Sequence, residues 1–256
     1  MSRGATSTSF ARSPLSTFPA TRLVDARGGA RAPRFDAPVA AGGYAWWYVD
    51  AVSTDGRYGL SVIALLGSVF SPYYARARAR ARARDARTDA LQHCALNVAL
   101  YGDCGHRWTM TERRASDVRR GADWLQLGPS ALHWDGERLN IEIDEITVPL
   151  PGRERGTLRV RPSALFDERH QLDPEGRHRW QPIAPRARIE VDLARPALRW
   201  SGDAYVDSND GDRGLEDDFD AWTWSRTTRG SETVVFYDVQ RRDGAQTHLA
   251  LGYDGA

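Results

Sequence analysis

The part of the sequence in which possible functional side chains are most densely grouped is residues 177–217. Tyr205 and Asp207 are two positions apart, and so are His178 and Trp180. Side chains in a β-strand alternate between its two faces, so each pair shares a face if its segment is extended. Strand-like runs separate the pairs, and two neighbouring strands could bring a carboxyl group, a phenol, an imidazole and an indole to one wall of a cavity.

These residue types are compatible with acid catalysis if they line an apolar cavity. Aspartic acid has an ordinary pKa of about 3.9, so Asp207 needs a poorly hydrated environment to carry a proton near neutral pH. The π faces of Trp180 and Tyr205 could stabilise a developing cation, by about 2 kcal/mol or more once water is excluded. His178 could orient the acid or position a water molecule. By residue type alone, these four side chains are compatible with such chemistry and equally with a structural role.

A purely structural interpretation of the same region is also open. Aspartates usually lie in turns or at the surface, Trp180 and Tyr205 could belong to the core, and His178 could be an exposed strand residue. The acidic residues at 210–218 favour a solvated loop. Calcium binding there is a weak alternative, because the spacing does not match an EF-hand.

Short strands and turns must position these residues. Aromatic and β-branched residues dominate 44–52, and 58–70 follows as the return strand of a hairpin. Apolar and polar residues alternate at 139–143, and a second hairpin is predicted within 233–251. Helical periodicity is almost absent. The sequence therefore predicts an all-β fold, either an antiparallel β-sandwich or an up-and-down β-barrel.

Composition limits the classes of function. The chain has 256 residues and a net charge of +1, and all 35 basic residues are arginine, which excludes a lysine Schiff base. A near-neutral charge argues against a nucleic-acid-binding protein. Cys94 and Cys104 could pair across a hairpin, but two thiols in so long a chain favour a reduced, cytoplasmic protein.

The sequence lacks the usual signatures of cofactor sites. The six histidines show no paired-ligand spacing, and neither a P-loop nor a GxGxxG motif is present. We therefore expect no metal and no organic cofactor, so that ordinary side chains carry the chemistry.

Two segments lie outside the strand pattern. Residues 1–41 are rich in small and polar residues, and we expect a disordered N-terminal arm. Residues 75–84 alternate alanine and arginine, with Arg87 close behind, and the density of like charge favours a solvated loop. Attraction to anionic lipid is the functional alternative for this tract. The most apolar stretch, 60–70, is far shorter than the roughly 20 residues of a membrane span.

Several long sequence blocks closely resemble the bacterial carotenoid 1,2-hydratases, also called hydroxyneurosporene synthases. The resemblance extends from about residue 42 to the end of the chain, and its blocks are 42–50, 67–74, 93–101, 144–150, 177–180, 182–185, 200–202 and 205–207. It implies a lipocalin-like β fold and the cofactor-independent addition of water to the terminal double bond of an acyclic carotene such as neurosporene or lycopene. The family's proposed acid corresponds to Asp207, and its supporting residues to Tyr205, Trp180 and His178.

The resemblance also implies a domain arrangement. We expect a first lipocalin-like β domain at 42–195 and, at 196–256, the start of a second β domain that carries Asp207. Relatives generally continue past Ala256, which would leave the second barrel truncated, and Asp203-Ala204 replaces the usual His-Gly before the Tyr-x-Asp motif. A non-catalytic lipocalin-like isoprenoid-binding protein, or an inactive truncated relative, is therefore the alternative function.

The nine tryptophans could line a pocket as well as fill a core. We expect Trp46, Trp47, Tyr48 and Trp200 to contact the substrate. Since an acyclic carotenoid is insoluble in water and no span is predicted, we expect a cytoplasmic protein that associates peripherally with the photosynthetic inner membrane. The sequence does not indicate the oligomeric state.

Overall fold

A computed structural model describes residues 22–24, 32–103 and 105–254. These residues form one sheet of 12 strands and one sheet of 4 strands. The large sheet is a nearly closed antiparallel barrel of lipocalin-like type, so the all-β prediction is confirmed. No helix among the described residues is both long and apolar enough to cross a membrane.

The large sheet (the barrel) contains β2 (Tyr44–Ser53), β3 (Tyr58–Leu66), β4 (Cys94–Gly102), β5 (Arg107–Arg113), β6 (Val118–Arg120), β7 (Trp124–Leu127), β8 (Ser130–Trp134), β9 (Leu139–Ile146), β10 (Arg153–Pro162), β11 (His170–Gln171), β12 (His178–Arg195) and β13 (Ala197–Gly211). The small sheet contains β1 (Arg22–Val24), β14 (Phe219–Arg229), β15 (Glu232–Arg241) and β16 (Gln246–Asp254). The helices are α1 (Pro72–Arg82) and α2 (Leu215–Asp218), with 3-10 turns at Ala90–Gln92 and Ala115–Asp117.

Alternation along the strands creates two separate cores. In β2, Trp47 and Val49 face the barrel interior, together with Ala204 and Val206 of the neighbouring β13. The next residue in each strand points the other way, because side chains of a strand alternate between its faces. The outward side chains of β2 and β13 pack against the small sheet and form a second core. One pair of strands therefore serves both cores.

Between Pro182 and Ala187, the alternation of strand β12 shifts, so that side chains before and after this segment follow different face assignments. Its pairing with β13 is irregular on both sides of Ala184. A proline cannot donate a ladder hydrogen bond, so Pro182 and Pro185 suit a bulged segment. As a result Trp180 points towards the second core, while Ile183 and Ala184 point into the barrel.

The alternating alanine and arginine tract is a helix, so the predicted solvated loop is wrong. Ser71 caps the N-terminus of α1 by accepting a hydrogen bond from the Tyr74 N–H, and Pro72 occupies the first turn. Alanine and arginine are both good helix formers, which outweighs the repulsion between like charges. An α-helix has 3.6 residues per turn, so a two-residue repeat does not place like residues on one face. The alternating sequence therefore gave no sign of helix α1.

The arginines of α1 pair with the acidic segment that precedes β14. Arg78 bonds to Glu216, and Arg82 bonds to Asp217 at 2.8 Å. Asp217 and Asp218 are only 11% and 18% exposed, whereas Asp212 and Glu216 are 53% and 50% exposed, so the prediction of a solvated acidic loop is only partly correct. The basic helix α1 and the acidic segment before β14 therefore neutralise each other beside the small sheet, through pairs of residues 135 and 138 positions apart in the sequence.

Most of the predicted N-terminal arm, and Cys104, lie outside the described residues. Residues 32–41 are described, and Phe35 among them is fully buried against Trp47. The predicted domain boundary at 195/196 falls in the turn between β12 and β13, which pair along their length, and the change of sheet comes at Phe219. The division into domains stays a prediction.

Candidate active site

Asp207 lies in the second core, between the two sheets. Strand β13 runs between β2 and β12, so Asp207 has a strand on either side, and only 3% of it is exposed. Tyr205 and Trp180, both fully buried, share this core with it. The structure thus brings together three of the four candidate catalytic residues.

Two hydrogen-bond donors converge on one oxygen of the Asp207 carboxyl group. The Trp180 Nε1–H donates to Oδ2 at 2.8 Å, and the Tyr205 hydroxyl donates to the same oxygen at 2.9 Å. The other oxygen, Oδ1, is buried and has no hydrogen-bond partner among the described residues. When the acid is neutral, its proton therefore belongs on Oδ1, because Oδ2 already accepts two hydrogen bonds.

Burial raises the pKa of Asp207 to about 7. The two hydrogen bonds from Trp180 and Tyr205 lower the pKa because they favour the charged form, and the nearby charge of Asp50 raises it. Desolvation is the larger effect. Near neutral pH a substantial fraction of Asp207 thus carries a transferable proton in a water-poor site.

Aromatic rings from both sheets surround this acid. The Trp224 ring of β14 lies 4.8 Å from the Tyr205 ring and 5.6 Å from the Tyr48 ring. The Tyr237 ring of β15 lies 4.8 Å from the Trp180 ring, and its hydroxyl accepts a hydrogen bond from Asn209 at 3.1 Å. Such π faces stabilise a cation in a site that excludes water.

Sequence reasoning missed Trp224, Tyr237 and Asn209. The strand β15 belongs to the predicted hairpin within 233–251, but no local pattern states which sheet a strand will cover, and β14 was not predicted. Asn209 continues the two-residue phase of Tyr205 and Asp207, and this was the one available signal.

His178 is fully buried near the site but is engaged elsewhere. Its Nδ1 forms a 2.9 Å hydrogen bond with the Tyr44 hydroxyl, and its Nε2 forms one of 2.9 Å with Asp218. The Nδ1 bond stays within the large sheet, the Nε2 bond connects that sheet to the segment before β14, and neither bond involves Asp207. The catalytic role of His178 stays a prediction, and the contacts assign it a positioning role.

The four predicted substrate-binding residues divide between the two faces of the large sheet. Trp46 and Tyr48 lie on the Asp207 side, where Tyr48 is the cross-strand partner of Asp207. Trp47 and Trp200 lie on the opposite face, with the barrel core. The structure does not bring these two tryptophans to the acid, because strand alternation points them into the barrel.

No group of three or more His, Cys, Asp or Glu side chains suited to a metal ion occurs within the described ranges. Independence from metals and organic cofactors stays a prediction.

The fold and the site together define a lipocalin-like β protein with a buried carboxylic acid between two sheets. The crystal structure of an AttH-type protein from Nitrosomonas europaea matches with a TM-score of 0.55 at 15% identity, covering 84% of this chain and 69% of that chain. At this identity the similarity shows the fold alone.

The chain belongs to the carotenoid hydratase CrtC family, whose model matches residues 62–256. It is 54% identical over 227 residues to the acyclic carotenoid 1,2-hydratase of Thiocapsa roseopersicina, covering 89% of this chain and 55% of the relative. It is 58% identical over 215 residues to the enzyme of that name from Rubrivivax gelatinosus, covering 83% and 52%. The chain thus spans about half the length of these curated relatives. The family predicted from the sequence blocks is confirmed.

Proposed function

We propose that this chain carries the acid site of an acyclic carotenoid 1,2-hydratase, a hydro-lyase that adds water to the terminal C1–C2 double bond of carotenes such as neurosporene and lycopene. The observation that carries the proposal is Asp207, a buried acid with a pKa of about 7 whose Oδ2 accepts hydrogen bonds from Trp180 and Tyr205 and whose Oδ1 has no hydrogen-bond partner among the described residues. Membership of the carotenoid hydratase family supplies the class of substrate.

The reaction begins with proton transfer from Asp207. The electron pair of the C1–C2 π bond takes the proton from Oδ1, a C2–H bond forms, and C1 becomes a tertiary cation. Trp180 and Tyr205 continue to donate hydrogen bonds to Oδ2, so they stabilise the carboxylate that remains.

The cation is then captured by water. The rings of Tyr205 and Trp224 supply π faces, and the new Asp207 carboxylate supplies a negative charge at short range. The oxygen of a water molecule bonds to C1, and the excess proton of the resulting oxonium returns to the carboxylate. The products are a 1-hydroxy carotenoid and the regenerated acid.

An Asp207→Asn variant tests this proposal. Asparagine has nearly the same shape but no transferable proton, so hydration should fall by at least the roughly 10²–10⁴-fold of general acid catalysis. The assay is pigment analysis in a host that makes lycopene. Asp203→Asn is the matched control, since Asp203 lies in the same strand and is exposed, with a surface ion pair to Arg188.

Two results would reject the assignment. One is substantial 1-hydroxy product from a folded Asp207→Asn protein. The other is carotene binding without hydration by the unaltered chain, which would favour the non-catalytic isoprenoid-binding alternative.

We further propose peripheral association with the membrane through the outer face of α1. Tyr73, Arg76 and Arg80 lie at positions i, i+3 and i+7 of this helix, so they share one face, and all three are exposed. Arginines near an anionic surface contribute about 1 kcal/mol each. Arg78 and Arg82 do not take part, because they bond to Glu216 and Asp217.

Co-sedimentation with anionic vesicles tests the membrane proposal. Binding should weaken in high salt and in an Arg76→Gln/Arg80→Gln variant. The matched control is Arg159→Gln/Arg199→Gln, two exposed arginines whose strand pairing places them at the opposite end of the large sheet. Equal binding by both variants would reject a role for α1.

A further inference from the structure

A single row of side chains crosses five strands of the large sheet, starting at Asp207. Each member is the cross-strand partner of the next, and the row runs through Asp207, Tyr48, Ile63, Asn97 and Met110. Directly paired residues point to the same face of a sheet. All five therefore lie on the outer face of the barrel, and the row spans four strand spacings, or about 19 Å.

The small sheet covers only the first part of this row. Its edge strand β14 lies above β2, where Trp224 contacts Tyr48 and Arg226 pairs with Asp50. Ile63 and Met110, farther along the row, are half-buried and pack against the rim of the second core. Past the edge of the small sheet, the row continues along the floor of a groove.

This groove has a volume of about 670 Å³, and apolar side chains dominate its lining. Ile63 and Met110 belong to the row, and the walls add Phe70, Pro72, Tyr73, Trp108 and Val148. The large side chains of the rim are unusually exposed: 49% for Phe70, 64% for Tyr73 and 45% for Trp108. Clustered exposure of this kind marks a surface that binds an apolar partner.

Three polar side chains of the groove, Ser71, Asn97 and Glu112, have partners within the protein. The Asn97 amide donates to the Thr109 carbonyl oxygen at 2.6 Å, and the Ser71 hydroxyl donates to Glu112. These three side chains are therefore already engaged and do not call for a polar ligand. A long hydrocarbon fits such a lining, because it needs no hydrogen-bonding partner.

We propose that this groove binds the polyene chain of the substrate, so that the terminal double bond reaches Asp207 while the conjugated chain lies across Tyr48 and Ile63 towards Met110 and Trp108. The inference rests on the proposed hydratase function and adds the position of the substrate. An extended, rigid polyene suits a straight row, and it loses little conformational entropy on binding.

Groove variants are tested first by equilibrium binding of lycopene in detergent micelles. The change in the lycopene absorption spectrum measures the bound fraction. Asp207→Asn serves as the background, so that no turnover occurs. Met110→Glu places a charge on the groove floor and should weaken binding at least 10-fold. Trp108→Ala removes an exposed ring without adding a charge, so it keeps the test valid if Met110→Glu fails to fold.

Ile146→Glu is the matched control, because Ile146 is 54% exposed and does not line the groove. Lycopene binding equal to that of the background protein is expected for this control. In the otherwise unaltered chain, Met110→Glu should lower kcat/KM for lycopene hydration, while the control should leave it unchanged.

The outcomes separate this inference from the proposed function. If Asp207→Asn abolishes hydration while Met110→Glu and Trp108→Ala bind lycopene as tightly as Ile146→Glu, the groove assignment is wrong and the hydratase proposal stands. If the groove variants lose binding but the unaltered chain never hydrates lycopene, the groove assignment stands alone. If Met110→Glu weakens binding to carotene-free phospholipid vesicles as strongly as it weakens lycopene binding, the groove is a lipid contact and the assignment is rejected.

Discussion

The free energy of unfolding should decrease as pH rises, because Asp207 is buried. Replacing Asp207 by asparagine should remove the part of this decrease that Asp207 causes. The pKa of Asp207 is raised by burial from its ordinary value of 3.8 to about 7, so the folded protein resists losing this proton. Below pH 3.8 the acid is protonated in both states and carries no penalty. Above that pH the unfolded chain deprotonates first, and the folded state becomes progressively less favourable until the pH passes 7.

The expected magnitude follows from the two pKa values. A difference of about three pH units corresponds to about 4 kcal/mol in the free energy of unfolding, all of it lost by pH 8. Between pH 5 and pH 7, Asp207 alone should lower the free energy of unfolding by about 2 kcal/mol. An asparagine at 207 does not titrate, so the variant should lack this contribution whatever its absolute stability.

Urea denaturation at pH 5 and pH 7 measures the effect. The quantity of interest is the change in the free energy of unfolding between the two pH values, compared between the unaltered chain and Asp207→Asn. Glu154→Gln should show a similar reduced pH dependence, because burial also raises the pKa of Glu154 to about 7. Asp203→Asn, at an exposed position, should behave as the unaltered chain.

Equal losses in the free energy of unfolding between pH 5 and pH 7 by Asp207→Asn and the unaltered chain would contradict this prediction. Asp207 would then titrate at its ordinary value, water would have access to the carboxyl group, and the acid could not hold a proton at neutral pH.

Two further predictions concern the rate of hydration. The value of kcat should fall as pH rises through about 7, because Asp207 loses the proton that it must donate; a profile that is flat from pH 6 to pH 9 would contradict this. Tyr205→Phe should lower the maximal rate only partly and move this fall to higher pH, because it removes a hydrogen bond that lowers the pKa of Asp207. Adding Tyr205→Phe to Asp207→Asn should reduce the rate little further, since residues that act as a unit are non-additive; multiplied losses would show that the two side chains act independently.

Two-residue alternation predicted much of the fold and the centre of the site. Apolar alternation at Leu139, Ile141 and Ile143 corresponds to β9, where these residues are buried and their neighbours are less so. The same rule placed Tyr205 beside Asp207, and the pairing of β12 with β13 brought Trp180 to them.

Alternation could not predict which core a side chain would enter. Residues 46–48 of β2 are consecutive aromatics and both faces of the strand are largely buried there, so Trp46 and Trp47 look alike in the sequence. Only the tertiary structure shows that Trp46 faces the small sheet and Trp47 faces the barrel.

Long-range charge pairing was also invisible in the sequence. The arginine tract and the acidic segment each looked like a solvated run of like charge. Their contact through Arg78 and Glu216 depends on a helix that the two-residue repeat disguised. A local pattern reports the environment of a residue along the chain, and not its neighbours across space.

Because Asp207 lies between two sheets, its pKa depends on whether the two sheets are packed against each other. Within the described part of the chain, the two sheets share no strand pairing, and the chain passes from one to the other through residues 212–218. Separating the sheets as rigid bodies would therefore part side-chain contacts and leave both hydrogen-bonded ladders intact. An opening that filled with water would hydrate Asp207 and return its pKa towards 3.8, so the acid retains its proton at neutral pH only while packed side chains or a bound hydrocarbon exclude water from it.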